Sequence, residues 1–397
     1  MFNTNPSRMI GLLAVLTCLA WTTEVTAGVE EDYLAARMAH RQGDFEKAVR
    51  FYTRVIQSGR LKTEDLVKAY CRRGGALAMS GEFDQSLRDY DKAVSLEPGN
   101  AEAYFQRGGL RFNRLEFERA VKDYDRAVDI NPRLAEAWFG RGLARDLLGD
   151  LDRALADYDR ALSLKPYLAM PACLHAFVAW PDNGERPVNV DYGQASKIDP
   201  RYDYAYFRRG LAWERKGDFT RAVSDYTKAL GINPQHLEAR FHRGVAWARK
   251  NQWERALSDL TLVLAAEPFN PAAYHYRALV WVAKGNLDRA NLDWTKALEL
   301  DHLNPVIYYN RGTAMAEKGR LDEAIADFDQ TLSLNPNDAD AYFNRGLAWM
   351  SKGNLRAAWD DVRKAVNLRP TDKLFRAKAL ELASEMRSPE RRDAGRR

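Results

Sequence analysis

ADAYFNRGLAWMSKGNLRAAWDDVRKAVNLRPTD, residues 339–372, decides the fold, because its residue types return upstream with a period of 34 residues. In this stretch Tyr342 is fourth, Gly346 eighth, Trp349 eleventh, Gly353 fifteenth, Ala358 twentieth, Ala365 twenty-seventh and Pro370 thirty-second. The thirty-second place is Pro98, Pro132, Pro166, Pro200, Pro234, Pro268, His302 and Pro336 in the preceding windows, so the register never slips. The units are 67–100, 101–134, 135–168, 169–202, 203–236, 237–270, 271–304, 305–338 and 339–372. A degenerate unit at 29–62 precedes them, followed by a four-residue insertion, Thr63 to Leu66.

Each recurring place has a physical reason. Apolar residues at the fourth, eleventh, twentieth, twenty-fourth and twenty-seventh places fall at helical spacing on two stripes, so each unit holds two amphipathic helices. A small residue at the eighth and twentieth places lets the two backbones approach. Glycine at the fifteenth ends the first helix in a left-handed turn, and Asp or Asn at the sixteenth offers a cap to the second. The thirty-second-place proline stops the second helix. After Pro370, residues 373–386 put Phe375, Ala379, Leu382 and Met386 on one face, as a helix closing the end of a repeat stack requires.

This pattern resembles the tetratricopeptide repeat family, on Trp138, Gly142, Gly149, Ala154, Tyr158, Ala161 and Pro166 as they stand here, and the resemblance covers residues 29–372. It implies an all-α, right-handed superhelical solenoid of about ten helix-turn-helix repeats, with ten units curving through about one superhelical turn. First helices would line a concave groove and second helices the convex face. The chain departs from the family at the seventh place, where leucine is usual. Here stand Arg73, Arg107, Arg141, Arg209, Arg243, Arg277, Arg311 and Arg345, matched sixteen residues on by Asp89, Asp123, Asp157, Asp225, Asp259, Asp293, Asp327 and Asp361. Asp191 stands alone in its unit, and the first unit lacks both members. Antiparallel helices bring the two places within a turn of each other, so the expectation is a structural arginine–aspartate ladder. Arg111 and Arg145 add a second arginine four residues later, either as an anion site or neutralised by Asp125 and Asp159. Trp213, Trp247, Trp281 and Trp349 occupy that place elsewhere and read as core. Unit 169–202 keeps its length but gains Pro171, Pro181 and Pro187, and is a kink, a binding spot or a decayed repeat.

Both ends lie outside the repeats. Arg8, the apolar run Met9 to Trp21 and the small residues of Val25-Thr26-Ala27 read as an export signal cut between Ala27 and Gly28. The run is shorter than the roughly 20 residues of a membrane span, so an uncleaved anchor is the second reading. The expected location is periplasmic or secreted, or membrane-anchored with the repeats outside the cytoplasm. Residues 387–397 carry a net charge of +3 out of a formal +5 for the chain and form a basic, solvated tail. With the body close to neutral, no stripe exists to neutralise many phosphates, which argues against nucleic acid. Of the three cysteines, Cys18 goes with the signal, while Cys71 and Cys173 both stand at the fifth place three units apart, too far to pair.

No phosphate loop, His-Glu-x-x-His, Gly-x-Ser-x-Gly or Cys-x-x-Cys occurs, and His242 and His275 have no third ligand, so neither a cofactor nor a catalytic role is expected. In the family, the second, fifth, sixth, ninth, twelfth and thirteenth places face the groove. The fifth is aromatic at Phe105, Phe139, Phe207, Phe241, Tyr309 and Phe343, with leucine often at the ninth. The irregular unit adds Phe177 and Trp180 at places nine and twelve. The lysine–asparagine clamp with which some members hold a chain's terminal carboxylate is missing. These eight aromatics are therefore the candidate partner-binding residues, suited to an extended segment or amphipathic helix of another protein, unless they fill the gaps between first helices instead. The functional expectation is an exported, non-catalytic scaffold or adaptor. The alternatives are a membrane-tethered assembly factor and an accessory array of a glycosyltransferase-type complex, a class that continues into a catalytic domain where this sequence ends 25 residues after its last repeat.

Overall fold

The computed structural model describes residues 28–165 and 203–387, and every described element is α-helix or turn. The chain divides into two compact units at Pro234 and Gln235. The first contains α1 (28–41), α2 (Phe45–Gln57), α3 (Thr63–Met79), α4 (Phe83–Leu96), α5 (Ala101–Asn113), α6 (Phe117–Ile130), α7 (Ala135–Leu147), α8 (Leu151–Leu164), α9 (Tyr204–Arg215) and α10 (Phe219–Ile232). The second contains α11 (Leu237–Arg249), α12 (Trp253–Ala266), α13 (Pro271–Ala283), α14 (Leu287–Leu300), α15 (Pro305–Glu317), α16 (Leu321–Leu334), α17 (Ala339–Ser351), α18 (Leu355–Leu368) and α19 (Lys373–Arg387). Odd-numbered helices up to α17 are first helices of a repeat and even-numbered ones are second helices.

Local chemistry sets these boundaries. The turn between the paired helices needs one residue at positive φ, supplied by glycine in most repeats, as at Gly149 with φ 82°. Two repeats do it without glycine, with Leu115 at φ 63° and Asn251 at φ 57°. Asparagine tolerates that region, whereas leucine is strained there. Asp44, Asp150, Asp218, Asn286 and Asn354 then cap the second helices by accepting from the backbone N–H three residues on. A second set of caps was not anticipated from the pattern: Asn100, Asn270, Asn304 and Asp338 at the thirty-fourth place cap the first helices. The insertion Thr63 to Leu66 adds one helical turn to the start of α3.

Within a repeat the two helices pack at van der Waals distance on a small residue. A Cβ at Gly142 would lie 2.9 Å from the Tyr158 ring and 3.3 Å from the Ala154 carbonyl oxygen, so only glycine fits unless the ring moves. Within each unit, a first helix also packs on the helices of the repeat before it, as α7 does on α6 and α17 on α16. In the first unit one core runs from Phe105 through Tyr124, Phe139 and Tyr158 to Ala205 and Ala212. The repeat that docks on 135–168 is therefore 203–236, with α9 against α7 and α8. All that the sequence suggested for unit 169–202, Phe177, Trp180, Cys173 and Asp191 included, lies outside the described residues, as do the segment up to Ala27 and the tail after Arg387. At the far end of the second unit Phe375 and Leu382 of α19 are buried, and the Phe375 ring stacks on Phe343 at 4.4 Å.

Candidate protein-binding surface

The arginine–aspartate ladder is present in all eight described pairs. Arg345 is typical, giving Nε to Asp361 at 2.8 Å and Nη2 to the other carboxylate oxygen at 2.7 Å. Two features of the ladder escaped the sequence. The remaining Nη1 reaches the twenty-fifth place of the preceding repeat, from Arg107 to Asp91, from Arg141 to Asp125 and from Arg345 to Asp329, so the ladder also joins neighbours. Arg209 makes this bond to Asp159, fifty residues upstream rather than sixteen, which fixes the docking of 203–236 on 135–168. Seven of the eight guanidinium groups also lie over the aromatic ring three residues before them in the helix, as Arg141 does over Trp138 at 4.5 Å, while Arg243 has Arg240 at that place. Burial opposes the arrangement: it pushes the Asp327 carboxyl above its ordinary value although Arg311 holds it in a bidentate pair.

The paired arginines are neutralised and are not an anion site. Arg111 joins Arg107 on Asp123, and Arg145 lies between Asp157 at 2.8 Å and Asp125 at 3.3 Å. Asp159, the other expected neutraliser, serves Arg209 instead. The eleventh-place tryptophans are half-buried, and an arginine of the following helix lies over three of them, Arg221 on Trp213, Arg255 on Trp247 and Arg289 on Trp281.

The fifth-place aromatics need correction as a binding surface. Phe105, Phe139, Phe207 and Phe343 are only 4%, 1%, 5% and 6% exposed. Each of the first three turns toward the twenty-fourth-place tyrosine of its own repeat, with centroids 5.6 to 6.1 Å apart. They fill the seam between the paired helices because the small eighth-place residue one turn on leaves room for a ring there. Phe241 and Tyr309 are half-buried. Phe241 meets Tyr276 edge-on at 5.6 Å, and Tyr309 accepts from Asn344 at 2.9 Å. Phe177, Trp180 and Ala27 lie outside the described residues, and Gly28 is exposed at the start of α1.

In the second unit the first helices leave a partly open band at the sixth, ninth, twelfth and thirteenth places, with Val245 buried within it, whereas in the first unit Phe112, Leu143 and Asp146 at such places are buried. Between α11 and α13 it forms a cleft of about 180 Å³, lined by Val245, Ala248, Arg249, Trp253, Tyr276, Leu279, Val280 and Ala283. Its walls are apolar apart from the Arg249 guanidinium and the Tyr276 hydroxyl. Such a cleft accepts one or two apolar side chains and offers no group positioned for bond chemistry.

One repeat replaces the phenylalanine–tyrosine pair by His275 and Trp294. Trp294 Nε1 donates to His275 Nδ1 at 3.2 Å, which puts the proton of the neutral imidazole on Nε2. Burial alone lowers this histidine from 6.5 to about 4. Above pH 6.5 it is neutral in both folded and unfolded chains, and between there and about 4 only the unfolded chain takes the proton. Stability must therefore fall as pH falls through this window, by about 2 kcal/mol at pH 5 from this group. His275→Phe is expected to flatten the acid limb of the melting temperature between pH 7 and 5. An unchanged slope in the variant would place the proton elsewhere.

Burial also pushes the Cys71 thiol up to about 12, which leaves it a poor nucleophile. Among the described residues no group of three His, Cys, Asp or Glu side chains is placed to hold a metal, and no helix is long and apolar enough to cross a membrane.

Tetratricopeptide repeat models match residues 33–66, 67–100, 135–168, 203–236 and 294–326, and a further TPR repeat model matches 314–353. No curated protein matches the chain. Among solved structures, a tetratricopeptide repeat protein from Parabacteroides merdae is 16% identical with TM-score 0.46, over 71% of this chain and 98% of that one. Yeast Tom70 is 13% identical with TM-score 0.41, over 92% and 97% of the two chains. A thermophilic TPR protein of Thermus thermophilus is 22% identical with TM-score 0.39, over 46% and 98%. On its repeat register, its paired helices and the matches of the repeat models, the chain belongs to the tetratricopeptide repeat family and is an all-helical scaffold for protein interactions, of a type that typically works without catalysis.

Proposed function

We propose that the protein is an exported adaptor that holds an apolar segment or amphipathic helix of a partner protein along the open band of the first helices in its second unit. The observation that carries this is the cleft between α11 and α13, where Tyr276, Leu279 and Trp253 are incompletely covered. Half-covered aromatic and aliphatic side chains around a depression are the arrangement in which interface energy concentrates. Export rests on the charged start, short apolar run and small residues before Gly28.

One preparation tests both parts. Protein recovered from its native compartment after in-cell crosslinking should read Gly28 first on amino-terminal sequencing, and a chain that retains Met9 to Trp21 would favour the tethered form. In the same preparation Leu279→Ser and Tyr276→Ala should each lower the yield of the crosslinked partner about tenfold, with the helical signal and melting profile retained. Changes at Glu46 and Lys47 of α2 should leave the yield as it was. Capture that survives both cleft substitutions would move the binding surface off this band.

A further inference from the structure

The tenth place of a first helix is where the preceding repeat is received. Ala76, Ala144, Ala212 and Val280 stand there and are at most 1% exposed. Ala76, for example, is packed with Ala36, Ala39 and Tyr52 of the repeat before it. In α1 the tenth place is Met38, which is 53% exposed, and Leu34 one turn earlier is 56% exposed. At the other end of the repeats α19 covers the last pair. Among the described residues nothing covers this face of α1.

This uncovered stripe has an ordered charge pattern. Along α1 the residues on the face run Glu31, Leu34, Met38, Arg41, at spacings of three, four and three, with Glu30 and Arg37 beside them. Acid stands at the amino end, base at the carboxyl end, and apolar side chains between. The helix ends and their macrodipole favour this polarity, but they do not require that the charges be left unpaired. The ion pair that α1 makes among the described residues is from Asp32 to Arg54, on a different face. Glu31 and Arg41 are exposed, and among the described residues neither makes an ion pair.

We propose that α1 docks on the α1 of a second copy of this chain, antiparallel about a two-fold axis near Ala36. In that register Leu34 of one copy lies at the height of Met38 of the other, and Glu31 at the height of Arg41, because each pair is equidistant from Ala36 along a rise of about 1.5 Å per residue. A two-fold contact must be self-complementary, with residue i meeting j and j meeting i. Few helix faces satisfy this, and this one does for both its apolar and its charged members. An unrelated partner has no reason to require acid at one end, base at the other and equal spacing about a centre. The contact is one helix wide, so it belongs with the small, reversible interfaces rather than with obligate ones.

Sedimentation equilibrium of the full chain, loaded from low to high micromolar concentration, tests the contact. The average mass should rise with concentration toward twice that of the chain. Leu34→Glu should hold it at the mass of one chain with the helical signal unchanged. Glu31→Arg and Arg41→Glu should each raise the dissociation constant about tenfold or more, since each reverses two symmetry-related pairs. The combined Glu31→Arg, Arg41→Glu chain should regain dimerisation, because the charges are exchanged across the axis. A chain of monomer mass up to about 100 µM would overturn the proposal and leave residues 1–27 or another protein as the cover of α1. A dimer indifferent to these substitutions, or single losses that the double exchange does not repair, would overturn it as well.

Discussion

Phe139→Ala is expected to cost about 3 to 5 kcal/mol of unfolding free energy, the range for emptying a fully buried phenylalanine site. The side chain is 1% exposed and stands between the Tyr158 ring at 5.6 Å and the Tyr204 ring at 6.3 Å. It therefore joins the two helices of its own repeat to the first helix of the repeat docked on it. Because repeats touch only their neighbours, losing one seam should split the unfolding of the first unit into two steps rather than shift it as a whole. Urea titration followed by circular dichroism reads both the midpoint and the number of steps. Phe241→Ala, at a half-buried site with edge-on contacts to His242 and Tyr276, should cost clearly less. A Phe139→Ala chain with an unchanged profile and a weakened partner contact would return the fifth place to the binding surface.

The contrast between these two positions shows what the residue pattern could and could not carry. The period of 34 fixes the helix pairs, the turn and the closing helix, because each is a local matter of spacing, capping and backbone sterics. The intra-repeat ladder was legible for the same reason: a separation of sixteen across a tight hairpin returns the chain to the same height. The fifth place was not, since helical periodicity says that a face is apolar but not which neighbour covers it. Phe105 and Phe241 look alike in sequence, yet one is sealed against Tyr124 and the other half-open. Contacts between repeats were out of reach in a stronger sense. Arg209 would be expected to bond sixteen residues back, where Gly193 has no side chain to offer, and it bonds Asp159 instead. Only three-dimensional adjacency reveals that partner. Spacing marked His275 only as a neighbour of His242 without a third ligand, and did not reveal that its position is a core site where a Trp–His hydrogen bond replaces an aromatic pair.

The largest electrostatic effect should come from Asp157→Leu. This carboxylate, in a residue 2% exposed, accepts from Arg141 Nε at 3.0 Å, Arg141 Nη2 at 2.7 Å and Arg145 Nη1 at 2.8 Å. Leucine there leaves two poorly solvated guanidinium groups sharing only Asp125, whose side chain is 41% exposed and so a weaker counter-charge. Breaking a buried pair by removing one partner costs about 3 to 5 kcal/mol, since the other charge stays behind in low dielectric. Removing both should cost much less. The double change Arg141→Leu, Asp157→Leu places an apolar residue at the seventh place, where the family usually has leucine, and leaves Arg145 with Asp125 alone. It should recover most of the stability lost in the single variant. Urea midpoints of the wild-type chain, the two single variants and the double variant form a cycle that separates the pair's coupling from the packing change of each leucine. A single-variant loss under about 1 kcal/mol would make the ladder no more than a surface contact. A double variant as unstable as Asp157→Leu alone would instead assign the ladder's effect to the hydrogen-bond geometry that joins α7, α8 and the preceding repeat, and not to the balance of charge.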